Sequence, residues 1–280
     1  MRVGKNQRKN IRLLTMPQTG RLKNFKANIP FIVEKKNYIV KTADSNAELN
    51  AALKLRHEVF LEEILNKKKR GGIDRDRFDK FCDHIIIYDK RNEMIIGTYR
   101  LQSSLYSKKW YTETEFHMKS ISNLPGIKLE LGRACVHPEH RNGITIALLW
   151  EGIKAYVDYS GANYLFGCSS VKTTDPDQIR IVYQYLRENG HISHSMNIRP
   201  RSKYRLPLSK NELLRSPVLT IEDFKEQMKD RIPSLLMSYL NVGAKVYGSP
   251  ALDREFQCID FLTLLDTRNL LSDKLRKPVS

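Results

Sequence analysis

The sequence predicts a single α/β domain built on a mixed β-sheet. Apolar runs of period two alternate with stretches of helical period, in the order β-α-β-β-loop-β-α-β-α-…-β. The 280 residues are 41% hydrophobic and include 13 Tyr and 10 Phe, enough for a substantial core. No internal repeat breaks this single-domain pattern.

Residues 1–36 read as a basic N-terminal arm, in which ten Lys and Arg face one acid, Glu34. The first strand is expected at NYIVKTA (38–43). Ser45 and Glu48 form a capping-box pattern ahead of Leu49, Leu53, Val59 and Phe60, predicting a helix over about 46–65. A charged loop, NKKKRGGIDRDRFD, precedes HIIIYD (84–89), and a turn at Asn92-Glu93 joins that strand to MIIGTYRLQ (94–102) as a hairpin. Residues 103–127 read as loop with a short helix. KLELGRACV (128–136) is the next strand, followed by a helix from Ile144 to about Tyr159, the strand YLFGCSSV (164–171) and a helix over 175–189. Residues 198–230 carry three prolines and read as an elaborated loop. A helix then stops at Gly243 before a strand ending near 248, and 256–266 is the last strand. The compact domain thus spans 37–266, and 267–280 is a basic, polar tail.

Formal net charge is +17, from 48 Lys and Arg against 31 Asp and Glu. A field of that sign favours nucleic acid, an anionic lipid surface or an acidic carrier protein. No helix-turn-helix, zinc-ligand spacing or aromatic RNA-binding motif is present, so nucleic acid is not expected. Cys82, Cys135, Cys168 and Cys258 are scattered among apolar neighbours, the pattern of reduced thiols, and no metal site is expected. The N-terminus lacks the apolar core of a signal peptide, and no run reaches the ~18 apolar residues of a spanning helix. The expectation is a soluble cytoplasmic protein that contacts the inner face of the cytoplasmic membrane peripherally.

One stretch concentrates unusual chemistry: LELGRACVHPEHRNG, residues 129–143. Glu130 and Arg133 sit in a strand whose neighbours are apolar on both faces, where an isolated charge is expensive. Two readings compete: a structural ion pair for each, or a site. Strict alternation places Leu129, Leu131, Arg133 and Cys135 on one face and Glu130, Gly132, Ala134 and Val136 on the other. Glu130 and Arg133 share a face only if the strand is bulged. The strand then runs through His137-Pro138-Glu139-His140-Arg141-Asn142-Gly143 into a helix N-terminus, a geometry that offers N–H groups to a phosphate.

VHPEHRNG with the following IALLW helix and YLFGCSS resembles the GNAT acyltransferase superfamily. LRHEVFLEE, IDRDRFDKFCDHIIIYD, IIGTYRL, LELGRACVHPEHR and GAKVYGSPALDREFQCIDF, in this order over about 50–265, most resemble the ornithine-lipid type of amino-acid N-acyltransferase. That group is related to the acyl-homoserine-lactone autoinducer synthases. The resemblance implies a GNAT-like, mostly antiparallel central sheet flanked by helices. It assigns catalysis to Glu130 and Arg133 and amino-acid binding to Arg56, Phe60, Asp76, Asp79 and Arg100, with Asp74 and Asp83 as nearby competitors for the acidic positions. It places the phosphopantetheine arm of the donor against Cys135, Val136, His137, Arg141, Asn142 and Gly143.

The implied reaction moves a long-chain, 3-hydroxylated acyl group to the α-amine of an amino acid such as ornithine, giving a lyso-aminolipid. Glu130 acts as general base, and backbone N–H groups near Cys135–His137 receive the oxyanion. No cofactor is bound. Members that use acetyl-CoA wrap its diphosphate in a glycine-rich turn, whereas here residues 141–147 hold one glycine and β-branched residues. Together with the positive charge this favours acyl carrier protein over acyl-CoA as donor. Two alternatives remain open: a synthase of acyl-homoserine-lactone-type signals, and a non-enzymatic basic protein that binds membrane or nucleic acid.

Overall fold

The computed structural model describes residues 25–67, 70–215 and 232–270. Eleven strands are present among them: β1 (Ile32–Glu34), β2 (Tyr38–Thr42), β3 (Asp83–Asp89), β4 (Met94–Ser103), β5 (Phe116–His117), β6 (Lys128–Val136), β7 (Tyr164–Val171), β8 (Ile192–Ser193), β9 (Arg199–Pro200), β10 (Lys245–Asp253) and β11 (Cys258–Asp266). Helices are α1 (Asn46–Arg56), α2 (Lys119–Ser122), α3 (Gly143–Ser160), α4 (Pro176–Glu188), α5 (Lys210–Leu214), α6 (Ser234–Asn241) and a last turn at Thr267–Leu270. Nine strands form one sheet in the order β1-β2-β3-β4-β6-β7-β11-β10-β8. It is antiparallel except at β6–β7 and β10–β8. This is the mixed, mostly antiparallel sheet that the sequence predicts.

Alternation along the strands explains the layers. Ile85 and Ile87 of β3 face Leu148, Leu149, Ile153 and Tyr156 of α3, while Ile86 faces Ala52, Leu55 and Val59 on the other side. Each such buried side chain contributes roughly 1.5–3 kcal/mol. Helices α4, α5 and α6 pack on β7, β10 and β11 through Ile179, Val182, Leu186, Leu213 and Leu236. The segment before β6 covers the opposite face of those strands with Trp110, Phe116, Met118 and Ile121.

Several expected boundaries move. Part of the arm expected over 1–36 belongs to the fold: Asn28 and Ile29 donate their backbone N–H groups to Asp83 at 2.8 and 3.0 Å, and β1 pairs with β2. Residues 1–24 lie outside the described residues, as do 216–231 of the expected loop and 271–280 of the tail. The helix expected to 65 keeps α-winding only to Arg56 and continues as a π-helix over His57–Ile64, with the His57 ring 3.5 Å from Glu62, five residues on. Ser45 caps α1 as expected, while the Glu48 carboxylate reaches the Asp44 N–H at 2.8 Å. Strand β10 runs past its expected end through a bulge between Tyr247 and Ala251, where Gly248 has φ +77° and Pro250 has no N–H to give.

Strands β6 and β7 pair only over Lys128–Tyr164, Leu129–Leu165 and Glu130–Phe166. At the next step a Cβ on Gly167 would lie 2.1 Å from the Leu131 carbonyl oxygen, so only glycine permits this approach. A small cavity of about 30 Å³ opens beyond, between Leu131, Gly167, Tyr99 and Tyr239. Gly167→Ala is expected to destabilise the fold by roughly 1–3 kcal/mol by forcing these strands apart. A urea transition with an unchanged midpoint would contradict this.

Candidate active site

The oddity at Glu130 and Arg133 resolves as a bulge. Between the pairs Thr98–Cys135 and Arg100–Gly132, β6 carries one residue more than β4. Arg133 takes up the excess with φ +54°, a conformation costly for a non-glycine residue. The bulge reverses the faces beyond it. Ala134 and Val136 join Leu129 and Leu131 against α3, and Cys135 turns to the α1 side. Glu130 and Arg133 thereby line one cavity of about 380 Å³.

Both carboxylate oxygens of Glu130 accept backbone N–H groups, from Tyr111 at 2.9 Å and Thr112 at 2.6 Å. Burial raises its pKa, and these hydrogen bonds pull the other way without cancelling the rise. The Arg133 guanidinium stacks over Tyr111 and Phe256, at 4.8 and 5.4 Å from the ring centres. One of its terminal nitrogens lies 3.4 Å from Asp76, while its Nε is enclosed and has no acceptor. Arg100 also stacks over Tyr111, at 5.3 Å.

The other expected acceptor-site residues divide into wall and foundation. Phe60, on the π-helix, and Arg100 line the cavity. Arg100 donates to Asp76 at 2.7 Å and Asp79 at 3.1 Å. Arg56 does not line the cavity; it is 0% exposed and donates to Asp74 at 2.9 Å and Asp79 at 2.7 Å. Its surroundings make it a structural cation: Nε and one terminal nitrogen bond two acids, and the other terminal nitrogen, buried without a hydrogen bond, lies 2.8 Å from Asp74. Burial opposes ionisation of Asp79, but Arg56 and Arg100 outweigh it and hold this carboxyl well below the usual range. Of the two competitors, Asp74 belongs to this network, and Asp83 accepts from the Tyr156 hydroxyl and the N-terminal segment instead.

The expected donor-site residues do not line the cavity. Cys135 is buried, its thiol donating to the Leu55 carbonyl at 3.6 Å, and burial pushes its pKa up to about 12. No thiolate nucleophile is available there. Cys135→Ala should therefore retain turnover within a few-fold; complete loss, with an unchanged thermal transition, would reinstate the thiol. The amide of His137, expected among the oxyanion donors, is spent on the Ile96 carbonyl at 2.8 Å. The Val136 carbonyl accepts from Arg141 Nε, and Arg141 grips Glu63 of the π-helix through two bonds of 2.6 and 2.7 Å. Asn142 is the N-cap of α3, accepting from the Thr145 N–H at 3.0 Å, and Gly143 is its first residue.

Three acids that the sequence reading missed complete the cavity wall. Glu115, Asp253 and Asp260, all buried, bring carboxylate oxygens within 4.8 Å of one another. Burial and mutual repulsion raise the pKa of Glu115 and of Asp260. A signal was available for one of them: Asp260 stands alone in the apolar strand QCIDFL, the same oddity as Glu130.

Residues 55–151 match the model of the acetyltransferase (GNAT) domain. An L-ornithine N(alpha)-acyltransferase of Rhizobium meliloti (strain 1021) is 31% identical over 245 residues, covering 82% of this chain and 80% of that protein. The chain belongs to the ornithine N-acyltransferase family. The same enzyme from Brucella abortus (strain 2308) is 29% identical, covering 83% of this chain and 85% of its own. Among solved structures, the acyl-homoserine lactone synthase BjaI is 14% identical at a TM-score of 0.44, with 82% of each chain covered. FeeM, an N-acyl amino acid synthase from uncultured soil microbes, is 10% identical at 0.43, covering 86% and 93%. The chain has a GNAT-like α/β fold, a large, mostly antiparallel sheet flanked by helices. Among the described residues, no helix is long and apolar enough to cross a membrane.

Proposed function

We propose that this family member transfers a long-chain acyl group, 3-hydroxylated, from the phosphopantetheine thioester of acyl carrier protein to the α-amine of ornithine, giving a lyso-aminolipid. The observation that carries this reading is the bipolar cavity, with Arg133 and Arg100 on its wall beside Glu130 and a cluster of acids. A zwitterionic amino acid needs that pairing of charges, whereas a neutral or purely anionic acceptor does not.

Glu130 is the base. The α-ammonium gives one proton to its carboxylate, directly or through a water, and the freed nitrogen attacks the thioester carbon. As the tetrahedral adduct collapses, the C–S bond breaks. The second proton leaves with the sulfur as the pantetheine thiol. The hydroxyls of Tyr99 and Tyr239 are hydrogen-bonded to each other on the cavity wall. One proton of that pair is left to give to the oxyanion, a role that replaces the His137 amide.

The preference for a carrier protein draws support from the turn before α3. Asn142 already caps the helix and Arg141 is held by Glu63, so neither is free for a diphosphate. The net charge of +17 suits an acidic carrier and an anionic membrane surface. The test is turnover of purified protein with ornithine and either acyl carrier protein or CoA thioesters, read as N-acyl-ornithine by mass spectrometry. Lipid profiles of expressing cells, compared with cells carrying Glu130→Gln, identify the head group. Equal use of both donors would remove the carrier-protein assignment, and no N-acyl amino acid in either assay would remove the function.

A further inference from the structure

Three carboxylates, Glu115, Asp253 and Asp260, are buried together on the wall of the same cavity as Glu130 and Arg133. They come from the loop before β5, the end of β10 and the middle of β11. Among the described residues, no side-chain nitrogen of Lys, Arg or His lies within 4 Å of a carboxylate oxygen of any of them. In a chain of net charge +17, that is a local excess of buried negative charge with no protein cation to offset it. The raised pKa values of Glu115 and Asp260 express the same imbalance. Their remaining partners are neutral donors. Cys168 bonds Glu115 at 3.5 Å, Ser170 and Cys258 bond Asp260 at 2.5 and 3.7 Å, and the N–H groups of Glu255 and Phe256 bond Asp253 at 2.8 and 3.1 Å.

A second observation points to a ligand. Arg133 lines the same cavity, and its enclosed Nε lacks an acceptor. A guanidinium able to take a carboxylate and acids able to take a cation therefore share one space, with Tyr111 between them. Its ring lies under Arg133, and its hydroxyl is near enough to Glu115 to favour that carboxyl's ionised form.

We propose that Glu115, Asp253 and Asp260 form the subsite for the side-chain ammonium of a diamino-acid acceptor, whose α-carboxylate meets Arg133. The assignment rests on the acyl-transfer reading above and adds to it the residues that select a cationic acceptor. Three carboxylates match the three N–H donors of an ammonium group. A divalent cation fits less well, because it asks for six or more oxygen ligands, whereas an ammonium asks for three acceptors. One acid stays protonated until the ammonium arrives, which restores the balance of charge.

The experiment compares acceptors in the full-length purified protein, with one acyl thioester as donor. Ornithine is set against norvaline, which has the same carbon chain without the amine, and against Nδ-acetylornithine. The wild-type protein should favour ornithine over both by roughly 30-fold or more in kcat/KM, and Asp260→Asn and Asp253→Asn should reduce that ratio at least about 10-fold, chiefly through the KM for ornithine. Equal use of norvaline by the wild-type protein overturns the proposal even if no variant folds. So does a ratio unchanged in both variants. Loss of the preference in chelator, with recovery in Mg²⁺ or Mn²⁺, reassigns the trio to a metal and also overturns it. Ornithine acylation with any of these results leaves the function standing, whereas no acylation of any amino acid defeats the function itself.

Discussion

Glu130→Gln is expected to lower kcat for N-acylation by roughly 10²- to 10⁴-fold, the usual contribution of a positioned general base. The substitution keeps the shape of the side chain and an oxygen for the N–H of Tyr111 or Thr112. Its amide nitrogen then meets the other N–H, so a modest loss of stability, of order 1–3 kcal/mol, accompanies the change. The two effects separate by measurement. Single-turnover kinetics report the lost base, while a urea transition reports the mismatch. The pH profile adds a sign. A base must be unprotonated to act, and burial raises the pKa of Glu130. The acid limb of the wild-type rate should therefore have its midpoint above that of an ordinary Glu, about pH 4.3. The limb due to Glu130 should vanish in the Gln variant. Turnover within a few-fold of wild type would show that the nitrogen loses its proton to another group.

Arg56→Met is expected to destabilise the fold by about 3–5 kcal/mol, because it leaves Asp74 without its guanidinium partner and Asp79 with Arg100 as its one remaining guanidinium partner. Against a total stability of roughly 5–15 kcal/mol, that is enough to unfold a marginal domain. Arg56→Lys should recover only part of the loss, since one ammonium cannot reproduce two guanidinium edges on two separate acids. The pH dependence follows from Asp79. Its folded pKa is depressed by Arg56 and Arg100, so its contribution is present above about pH 4 and is lost as pH falls below that value. The gap between wild type and Arg56→Met should therefore be widest near neutrality and narrow in acid. Equal urea midpoints at pH 7 would refute the structural assignment of Arg56. A raised KM for the acceptor with stability intact would return it to the binding site.

Much of the fold was legible because its signals are local. The limits of β6 and β7 follow from apolar runs ended by turn residues, and both coincide with the observed strands. Asp175 and Asn142 cap α4 and α3 through side-chain oxygens that need only the next three residues. Of the charged set, Glu130 and Arg133 were legible because charge in an apolar strand is costly, whereas Arg56, Asp76, Asp79 and Arg100 were reached only through the family resemblance.

What each charge does was not legible. Arg56 and Arg100 share Asp79, yet one is fully buried and away from the cavity wall and the other lines the cavity. The sequence carries the residue types and their spacing, but that difference depends on depth, which packing sets. The bulge at Arg133 is similar. Left-handed backbone is unfavourable for arginine taken alone, and contacts with Asp76, Tyr111 and Phe256 hold it there. Glu115, Asp253 and Asp260 are brought together from distant parts of the chain by the pairing of β7, β11 and β10 and by the bulge at Gly248. The sequence by itself determined the elements and their order, because short-range sterics and hydrophobic periodicity fix those, and its motifs carried the resemblance that named the acyl-transfer residues. Only the tertiary structure decided which charges neutralise one another and which are left facing the cavity, because Coulomb energy and desolvation depend on distances in space.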